Sequence, residues 1–254
     1  MGNKQRVTTK SAQQYVDAVA KAEQSGDESF FFWFNACSDI NSYFASGIQT
    51  LETEILTPTV QTALDPITSS LALEIGHGGG RILIAACSKF KHVTGIDVHQ
   101  SNDPVKRKLT GAGLANYSLH TTDGSSIPNN TNSLDFVYSY IVLMHVPNID
   151  IFRDYLSETH RVLRPGGVAQ LFYGRYSRMS WKARIRWCLA GYREISSTNN
   201  NEDRNKLTNL VLTQRTAHKI ARDIGFNVLD SGSSLKPDGI QKGSQNYMTL
   251  QVPL

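Results

Sequence analysis

The sequence predicts an α/β protein with a doubly wound, seven-stranded and mostly parallel sheet. From about residue 71 onward, short apolar segments of β-forming residues alternate with helical patterns, which is typical of βαβ units that build a parallel sheet. Glycines and acidic residues follow several of these strands, where ligands of such folds bind. A length of 254 residues allows one large domain with additions.

The alternation assigns each strand and two well-marked helices. Asp103 can cap a helix that has Pro104 at its first position and Gly113 near its end. Asn148 can cap another helix, which the Pro165-Gly166-Gly167 turn is expected to stop. Its apolar stripe is Ile149, Phe152, Leu156 and Leu163. The predicted strands are Leu71–Ile75, His92–Asp97, Tyr117–Thr121, Leu134–Ser139, Val168–Tyr173, Phe226–Asp230 and Tyr247–Val252.

Two segments lie outside this alternation. Residues 1–70 are predicted to form an N-terminal helical extension, separate from a main domain over 71–254, and Pro58 is expected to interrupt the helical pattern. One face of that extension would carry Ile40, Phe44, Ile48, Leu51 and Ile55. Residues 175–215 form an insertion after the fifth strand, longer than an ordinary connection. We expect this insertion to be helical and to act as a lid.

Composition excludes several classes of protein. A net charge of +4 is too small for a dedicated nucleic-acid binder, so no nucleic-acid partner is expected. The odd, widely spaced cysteines fit neither a disulfide framework nor a paired-cysteine zinc site, which favours a cytoplasmic location. The longest apolar run, Phe30 to Phe34, is too short to span a bilayer, and the N-terminus lacks an apolar signal core.

The most informative motif follows the first strand. Glu74-x-Gly76-x-Gly78-x-Gly80 runs into a helical pattern, where glycines permit sharp turns and free amides can bind an anionic or polar ligand. A dinucleotide fingerprint counted from Gly76 needs glycine where Arg81 stands. The motif therefore weakens a nicotinamide assignment and leaves a second class of nucleoside cofactor open.

The order of the later motifs indicates which other nucleoside cofactor the protein binds. Asp97 closes the second strand, and Asp123 follows the third in Thr122-Asp123-Gly124. Together with the glycine motif, Leu134–Ser139, His145-Val146-Pro147 and the run from Arg161 to Gly167, they resemble class I S-adenosylmethionine-dependent methyltransferases of the type 11 group. The resemblance covers about residues 71–174, and it implies a Rossmann-like fold and S-adenosylmethionine as the cofactor.

The resemblance also implies a set of cofactor-binding residues. Asp97 would accept hydrogen bonds from both ribose hydroxyls, and Asp123 would hold the adenine amino group. His77 departs from the small residue or cysteine that is common at its position, and we interpret it as a neighbour of the cofactor. The full set is Glu74, Gly76, His77, Gly78, Gly80, Asp97, Val98, Asp123, Gly124 and Ser139. No metal site is expected, because the histidines show no paired spacing.

The predicted function is methylation of a small-molecule acceptor, with O-methylation favoured over N-methylation. His145 is the candidate general base for a hydroxyl acceptor, because an ordinary imidazole is largely neutral at cellular pH, and Tyr140 is the second candidate. Basic residues of the insertion, with apolar residues between them, favour an acidic acceptor or form only a solvated surface. Those residues are Arg175, Arg178, Lys182, Arg184, Arg186 and Arg193.

Two other functions remain compatible with the sequence. A cofactor-binding regulatory protein without turnover would keep the same motifs, because a cofactor fold does not establish catalysis. An NAD-dependent oxidoreductase is less favoured, since Arg81 interrupts the fingerprint and Asp123 supplies a second acid. The aromatic cluster Phe30 to Phe34 fits either an apolar acceptor pocket or plain core packing.

Overall fold

The computed structural model describes residues 10–64, 66–175, 191–195, 209–235 and 241–254. Its centre is a seven-stranded sheet, and a two-stranded sheet lies beside it. The strands are β1 Leu71–Ile75, β2 His92–Asp97, β3 Tyr117–Thr121, β4 Leu134–Ser139, β5 Leu163–Gly174, β6 Tyr192–Glu194, β7 Leu210–Leu212, β8 Asn227–Leu235 and β9 Gln241–Gln251.

The sheet confirms the predicted doubly wound topology. Its strand order is β3-β2-β1-β4-β5-β9-β8, and the first five strands in the chain are parallel. β9 lies antiparallel between β5 and β8. The order reverses beside β1, so the carboxyl ends of β1, β2 and β4 meet at the position where such folds bind ligands.

Helices cover both faces of the sheet. The helices are α1 Lys10–Gln24, α2 Asp27–Phe34, α3 Ile40–Thr50, α4 Pro58–Ala63, α5 Arg81–Cys87, α6 Asp103–Gly111, α7 Ile149–Val162 and α8 Gln214–Ile224, with a π-helical turn at Leu51–Ile55 and a 3₁₀ turn at Ile67–Ser69. α7 and α8 pack on one face with Phe152, Ala217 and Ile220 in the core. α5 and the N-terminal helices pack on the other, around Phe30, Tyr43 and Phe136. No helix in the described ranges is long and apolar enough to cross a membrane.

α7 begins as predicted but ends differently. The side chain of Asn148 accepts a hydrogen bond from the Ile151 N–H at 2.9 Å, which caps the helix. The predicted stop at Pro165-Gly166-Gly167 is wrong, because Leu163 is already extended and pairs with Leu134. Gly166 and Gly167 exchange backbone hydrogen bonds of 3.0 Å with Val252. These residues therefore lengthen β5.

The N-terminal extension is helical, and Leu51 and Ile55 of its predicted apolar face are buried, but Ile48 is not. α3 buries Tyr43, Gly47 and Thr50, whereas Ile48 is 49% exposed. Gly47 explains the difference, because a Cβ at this position would overlap the backbone carbonyl of Arg81. The helix therefore turns its small residue toward α5. Pro58 begins α4 after the Thr57 cap, which fits proline at a first helical position.

The insertion after β5 is described at residue 175 and over residues 191–195 and 209–215. β6 pairs antiparallel with β7, so these parts are strands and not the expected helix. The N–H groups of Asn209 and Leu210 donate to the Met144 carbonyl at 2.9 and 3.1 Å. The predicted basic residues Arg178, Lys182, Arg184 and Arg186 lie outside the described residues.

Candidate functional site

The glycine motif forms a tight loop between β1 and α5. Gly76, Gly78 and Gly80 have φ values of 76°, 52° and 75°, a left-handed region that favours glycine. The Gly76 N–H donates to the Ile96 carbonyl at 2.7 Å, and the Gly80 N–H donates to the His77 carbonyl at 2.8 Å. The loop is therefore folded back toward the end of β2.

Asp97 is the last residue of β2 and binds the glycine loop through a hydrogen bond. Its Oδ2 accepts a hydrogen bond from the Gly78 N–H at 2.9 Å, and its Oδ1 accepts from the Val98 N–H at 2.7 Å. Burial alone raises the pKa of Asp97, but the neighbouring His99 and His77 and the backbone N–H groups outweigh it, and the net pKa is lowered. Asp97 is therefore a buried carboxylate with an ordered set of donors.

Two histidines stand beside this carboxylate. A ring nitrogen of His77 lies 2.9 Å from the Gly78 carbonyl oxygen, and one of His99 lies 3.2 Å from the same oxygen. Each of these nitrogens must carry a proton, because a carbonyl oxygen can only accept. Burial lowers the pKa of His77 to about 4, so its ring is neutral. His77 is thus part of the loop itself, next to the predicted nucleoside position.

The fold therefore brings together three residues of metal-ligating type, which their spacing in the sequence did not indicate. His77, Asp97 and His99 are buried, and each offers a metal-ligating atom within 4.8 Å of the others. In this arrangement one nitrogen of each ring donates to Gly78, while Asp97 accepts backbone hydrogen bonds. The absence of a metal site remains a prediction. His99 was missed as a site residue, although its position two residues after Asp97 was a usable signal.

Glu74 and Ser139 lie inside the core. The Tyr138 hydroxyl donates to Oε2 of Glu74 at 3.1 Å. Burial raises the pKa of Glu74 to about 8, against the lowering effects of Tyr138 and Arg81. Ser139 pairs with Ile75 at the end of β4, and its buried hydroxyl has no partner among the described residues. Burial thus favours the protonated form of Glu74, and Ser139 has spare hydrogen-bonding capacity.

Three further predicted residues, Asp123, Gly124 and Val98, lie at or beside the turn after β3. Asp123 is exposed, and its Oδ1 accepts hydrogen bonds from the N–H groups of Ser125 and Ser126, both at 2.9 Å. Burial raises the pKa of Asp123, but these bonds outweigh it and the net pKa is lowered. A Cβ at Gly124 would lie 3.2 Å from the side chain of Val98. Val98 and Gly124 are therefore neighbours at the ends of β2 and β3.

The loop after β4 carries both candidate bases. Tyr140 packs against Phe172 with ring centroids 5.0 Å apart, and the Arg81 guanidinium lies 5.6 Å from its ring centre. Burial raises the pKa of Tyr140 to about 12, so its phenol keeps its proton. His145 is partly exposed, and its carbonyl accepts from the Asn209 side chain at 2.8 Å. The insertion thus braces the loop that presents His145.

Strain marks the same loop. Ile141 has a φ of 59°, which is unfavourable for a β-branched residue. Its N–H donates to the Gln245 side chain at 3.1 Å, and its own side chain is 44% exposed. The backbone therefore turns sharply directly after β4. Strained backbone of this kind often lies at functional sites.

Aromatic residues of α2 cover the glycine loop. A Cβ at Gly78 would lie 2.8 Å from the Phe34 ring, and one at Gly79 would lie 2.9 Å from it. Phe30 and Phe31 are buried. In this conformation Phe34 packs on the loop, and Phe30 and Phe31 are part of the core. A cavity of about 370 Å³ lies at the opposite ends of the strands and includes Leu71, His92, Ser118 and Leu134.

This region resembles a known family. Residues 73–171 match a family described as a methyltransferase domain. The match contains the glycine loop, Asp97, Asp123 and the loop after β4. It confirms the resemblance to class I methyltransferases, and the family implies S-adenosylmethionine as the cofactor.

Two relatives extend the comparison in sequence. A ubiquinone biosynthesis O-methyltransferase of Bartonella tribocorum is 26% identical over 121 residues, which cover 48% of this chain and 47% of the relative. A demethylmenaquinone methyltransferase of Staphylococcus epidermidis is 34% identical over 115 residues, which cover 43% of this chain and 45% of the relative. The chain thus matches about half the length of these relatives.

Solved structures confirm the fold. A SAM-dependent methyltransferase of Methanosarcina mazei superposes with a TM-score of 0.59 at 19% sequence identity. The superposition covers 78% of this chain and 99% of the other. The shared architecture therefore extends well beyond the matched motifs.

The residues present fit the nucleoside end of S-adenosylmethionine by their chemistry. Asp97 has carboxylate oxygens at the end of β2, Val98 and Gly124 adjoin beside it, and the orphaned hydroxyl of Ser139 lies at the end of β4. The space over the glycine loop, however, is taken by Phe34, and Asp97 is only 5% exposed. The donor set fits the cofactor, while the N-terminal helices are closed over it.

Proposed function

We propose that the protein transfers a methyl group from S-adenosylmethionine to a small-molecule acceptor, with O-methylation favoured over N-methylation. The observation that carries the proposal is the Gly78–Asp97 hydrogen bond of 2.9 Å. It joins the two motifs of the family at adjacent strand ends, where nucleoside cofactors bind. The names of both relatives refer to quinone compounds, and one is an O-methyltransferase, which supports a small-molecule acceptor.

In this proposal the binding residues act by placement. Asp97 binds the ribose hydroxyls, Asp123 and Gly124 lie toward the adenine, and the loop from Gly76 to Gly80 turns its backbone toward the rest of the cofactor. Bound S-adenosylmethionine supplies an electrophilic methyl group. Holding an acceptor in line with such a group can be worth about 7–11 kcal/mol, because the entropic barrier is largely removed.

A hydroxyl acceptor also requires a base, and the raised pKa of Tyr140 favours His145 of the two candidates. Tyr140 holds its proton, since burial raises its pKa to about 12, so it is suited to donate and not to accept. His145 is partly exposed in the loop that follows β4. We therefore assign the base to His145, with Tyr140 and the Arg81 guanidinium above it shaping the wall of the site.

The insertion is proposed to cover the acceptor. Its described strands contact the His145 loop through Asn209, which supports a position on the acceptor side. An electropositive cover would attract an acidic acceptor and respond to salt. Charge reversal at Arg184 and Arg186 should then raise the Michaelis constant for the acceptor at low salt and leave cofactor affinity unchanged. Unchanged acceptor kinetics would assign these residues to the surface. The division at residue 70 remains part of this proposal.

The test of the function is transfer of label. The protein is incubated with methyl-labelled S-adenosylmethionine and fractionated metabolite extracts, and the labelled compound is identified by mass spectrometry. The Asp97→Ala variant is the control, because it removes the proposed ribose acceptor. A compound labelled by the wild type and not by the variant supports the proposal. Tight cofactor binding with no labelled product from any extract favours the regulatory alternative.

A further inference from the structure

α1 of the N-terminal extension reaches the cofactor-binding acid directly. The Tyr15 hydroxyl lies 3.2 Å from Oδ1 and 3.4 Å from Oδ2 of Asp97, and donates to that carboxylate. The two residues are 82 positions apart in the chain. The contact therefore depends on how α1 docks and not on local chain geometry.

The hydrogen bonds of Asp97 leave little room for another ligand. A carboxylate offers about four lone-pair sites. The N–H groups of Gly78, Val98 and His99 donate to Asp97 at 2.9, 2.7 and 3.3 Å, and Tyr15 is the fourth donor. The three backbone donors belong to the loops at the ends of β1 and β2. Among the donors in the described structure, Tyr15 alone comes from a separate element.

Aromatic contacts hold α1 and α2 in this closed position. The Tyr15 ring meets Trp33 edge to face, with centroids 5.3 Å apart. The ring of His99 contacts Phe34 at 5.7 Å and Phe30 at 6.2 Å. Each such aromatic pair contributes modestly, so the closed position is held by several weak contacts that a ligand can offset.

We propose that Tyr15 occupies the place of the ribose hydroxyls on Asp97, so that α1 forms a closed, cofactor-excluding state of the site. A ribose diol must donate to the same carboxylate, and it can do so only when the phenol withdraws. Binding then selects the open population, and the apparent dissociation constant exceeds the intrinsic one by the inverse of the open fraction. This inference rests on the proposed function, because it assumes a nucleoside cofactor at Asp97.

The test is the affinity of Tyr15→Phe for S-adenosylhomocysteine, measured by calorimetry. The variant keeps the ring against Trp33 and removes only the hydroxyl, so the affinity should rise about ten-fold, which corresponds to about 1.4 kcal/mol. Tyr247→Phe is the matched control. The Tyr247 hydroxyl donates to Asp230 at 3.2 Å, a Tyr–Asp bond of the same length between β8 and β9, and its loss should not change the affinity.

Hydrogen exchange gives a readout that does not depend on turnover. Bound S-adenosylhomocysteine should speed exchange over α1 and slow it over the Gly76–Gly80 loop, and Tyr15→Phe should show faster α1 exchange before ligand is added. Trp33 fluorescence should change on binding, and Trp33→Phe should remove that change. An unchanged or weaker affinity in Tyr15→Phe overturns the inference while leaving the cofactor assignment intact. If neither the wild type nor the variant binds, the proposed function itself is overturned.

Discussion

The backbone N–H of Gly78 donates to Oδ2 of Asp97 at 2.9 Å, so the loop after β1 is fixed by the acid that ends β2. One residue therefore has two tasks, since Asp97 orders the glycine loop and is the proposed ribose acceptor. In the proposed function, cofactor binding and the order of the glycine loop are therefore coupled at this carboxylate.

Replacing Asp97 should weaken cofactor binding without unfolding the domain. Asp97→Ala removes an ionised acceptor, and charge-assisted hydrogen bonds are worth about 1.5–3 kcal/mol each, so we expect S-adenosylhomocysteine to bind at least about ten-fold more weakly. Asp230→Ala is the control, because it removes another tyrosine-bonded carboxylate. Calorimetry gives the affinity, and thermal unfolding checks the fold. Equal affinity in wild type and Asp97→Ala would remove the ribose role.

Gly47 should be required for the docking of α3. A Cβ there would overlap the Arg81 carbonyl, and overpacking of this kind typically costs about 1–3 kcal/mol, more than the roughly 0.5–1 kcal/mol that alanine gains in a helix. Gly47→Ala should therefore lower the free energy of unfolding in a urea titration. Gly111→Ala has open space around the new methyl group and should be neutral or stabilising. Equal stabilities for the two variants would contradict the close approach.

Glu74 should make stability depend on pH. Its pKa is raised from 4.5 to about 8 by burial, so the folded chain favours the protonated acid. The stability is full below about pH 4.5 and is lost as the pH rises toward 8. Glu74→Gln keeps an uncharged acceptor for Tyr138, and its stability advantage over the wild type should grow between pH 5 and 8, by about 1.4 kcal/mol for each pH unit.

Thermal unfolding across this pH range measures the effect. Glu28→Gln, on the exposed side of α2, is the control and should give a curve parallel to the wild type. Parallel curves for Glu74→Gln and wild type would show that Glu74 is ionised in the folded state at neutral pH.

His145 should govern the acidic limb of the rate profile. A general base supplies about 10²–10⁴-fold, so His145→Ala should lose turnover in that range at saturating substrates, with cofactor affinity retained. The decrease in rate at low pH should also disappear. Tyr140→Phe should keep that limb, because the pKa of Tyr140 is raised to about 12. Near-normal turnover in His145→Ala would leave placement as the source of catalysis.

Local patterns predicted the first four strands well because each is a short segment of β-forming residues. β1, β2, β3 and β4 have the predicted bounds. The predicted end of α7 was wrong for a tertiary reason. The Pro165-Gly166-Gly167 segment has the composition of a turn, yet Gly166 and Gly167 bond to Val252 from the other end of the chain, and no local rule anticipates that partner.

The sequence predicted the motif residues of the site, but not the contacts that distant helices make with them. Asp97 and the glycines follow from motif order, but Tyr15 reaches Asp97 only through the docking of α1. The buried face of α3 was likewise set by one close approach at Gly47, against an apolar pattern that favoured Ile48. Packing between elements that are distant in the chain determines such contacts, and the apolar periodicity of a sequence does not predict this packing.

Titration of the wild-type protein with S-adenosylhomocysteine and, separately, with NAD tests the central claim most directly. The glycine loop, Asp97 and the Val98–Gly124 neighbourhood predict saturable binding of S-adenosylhomocysteine, and Arg81 in place of the last fingerprint glycine predicts much weaker binding of NAD. The predicted result is a clear calorimetric isotherm for the first ligand at concentrations where NAD gives none. Tighter binding of NAD, or no binding of S-adenosylhomocysteine, would contradict the proposed methyltransferase function.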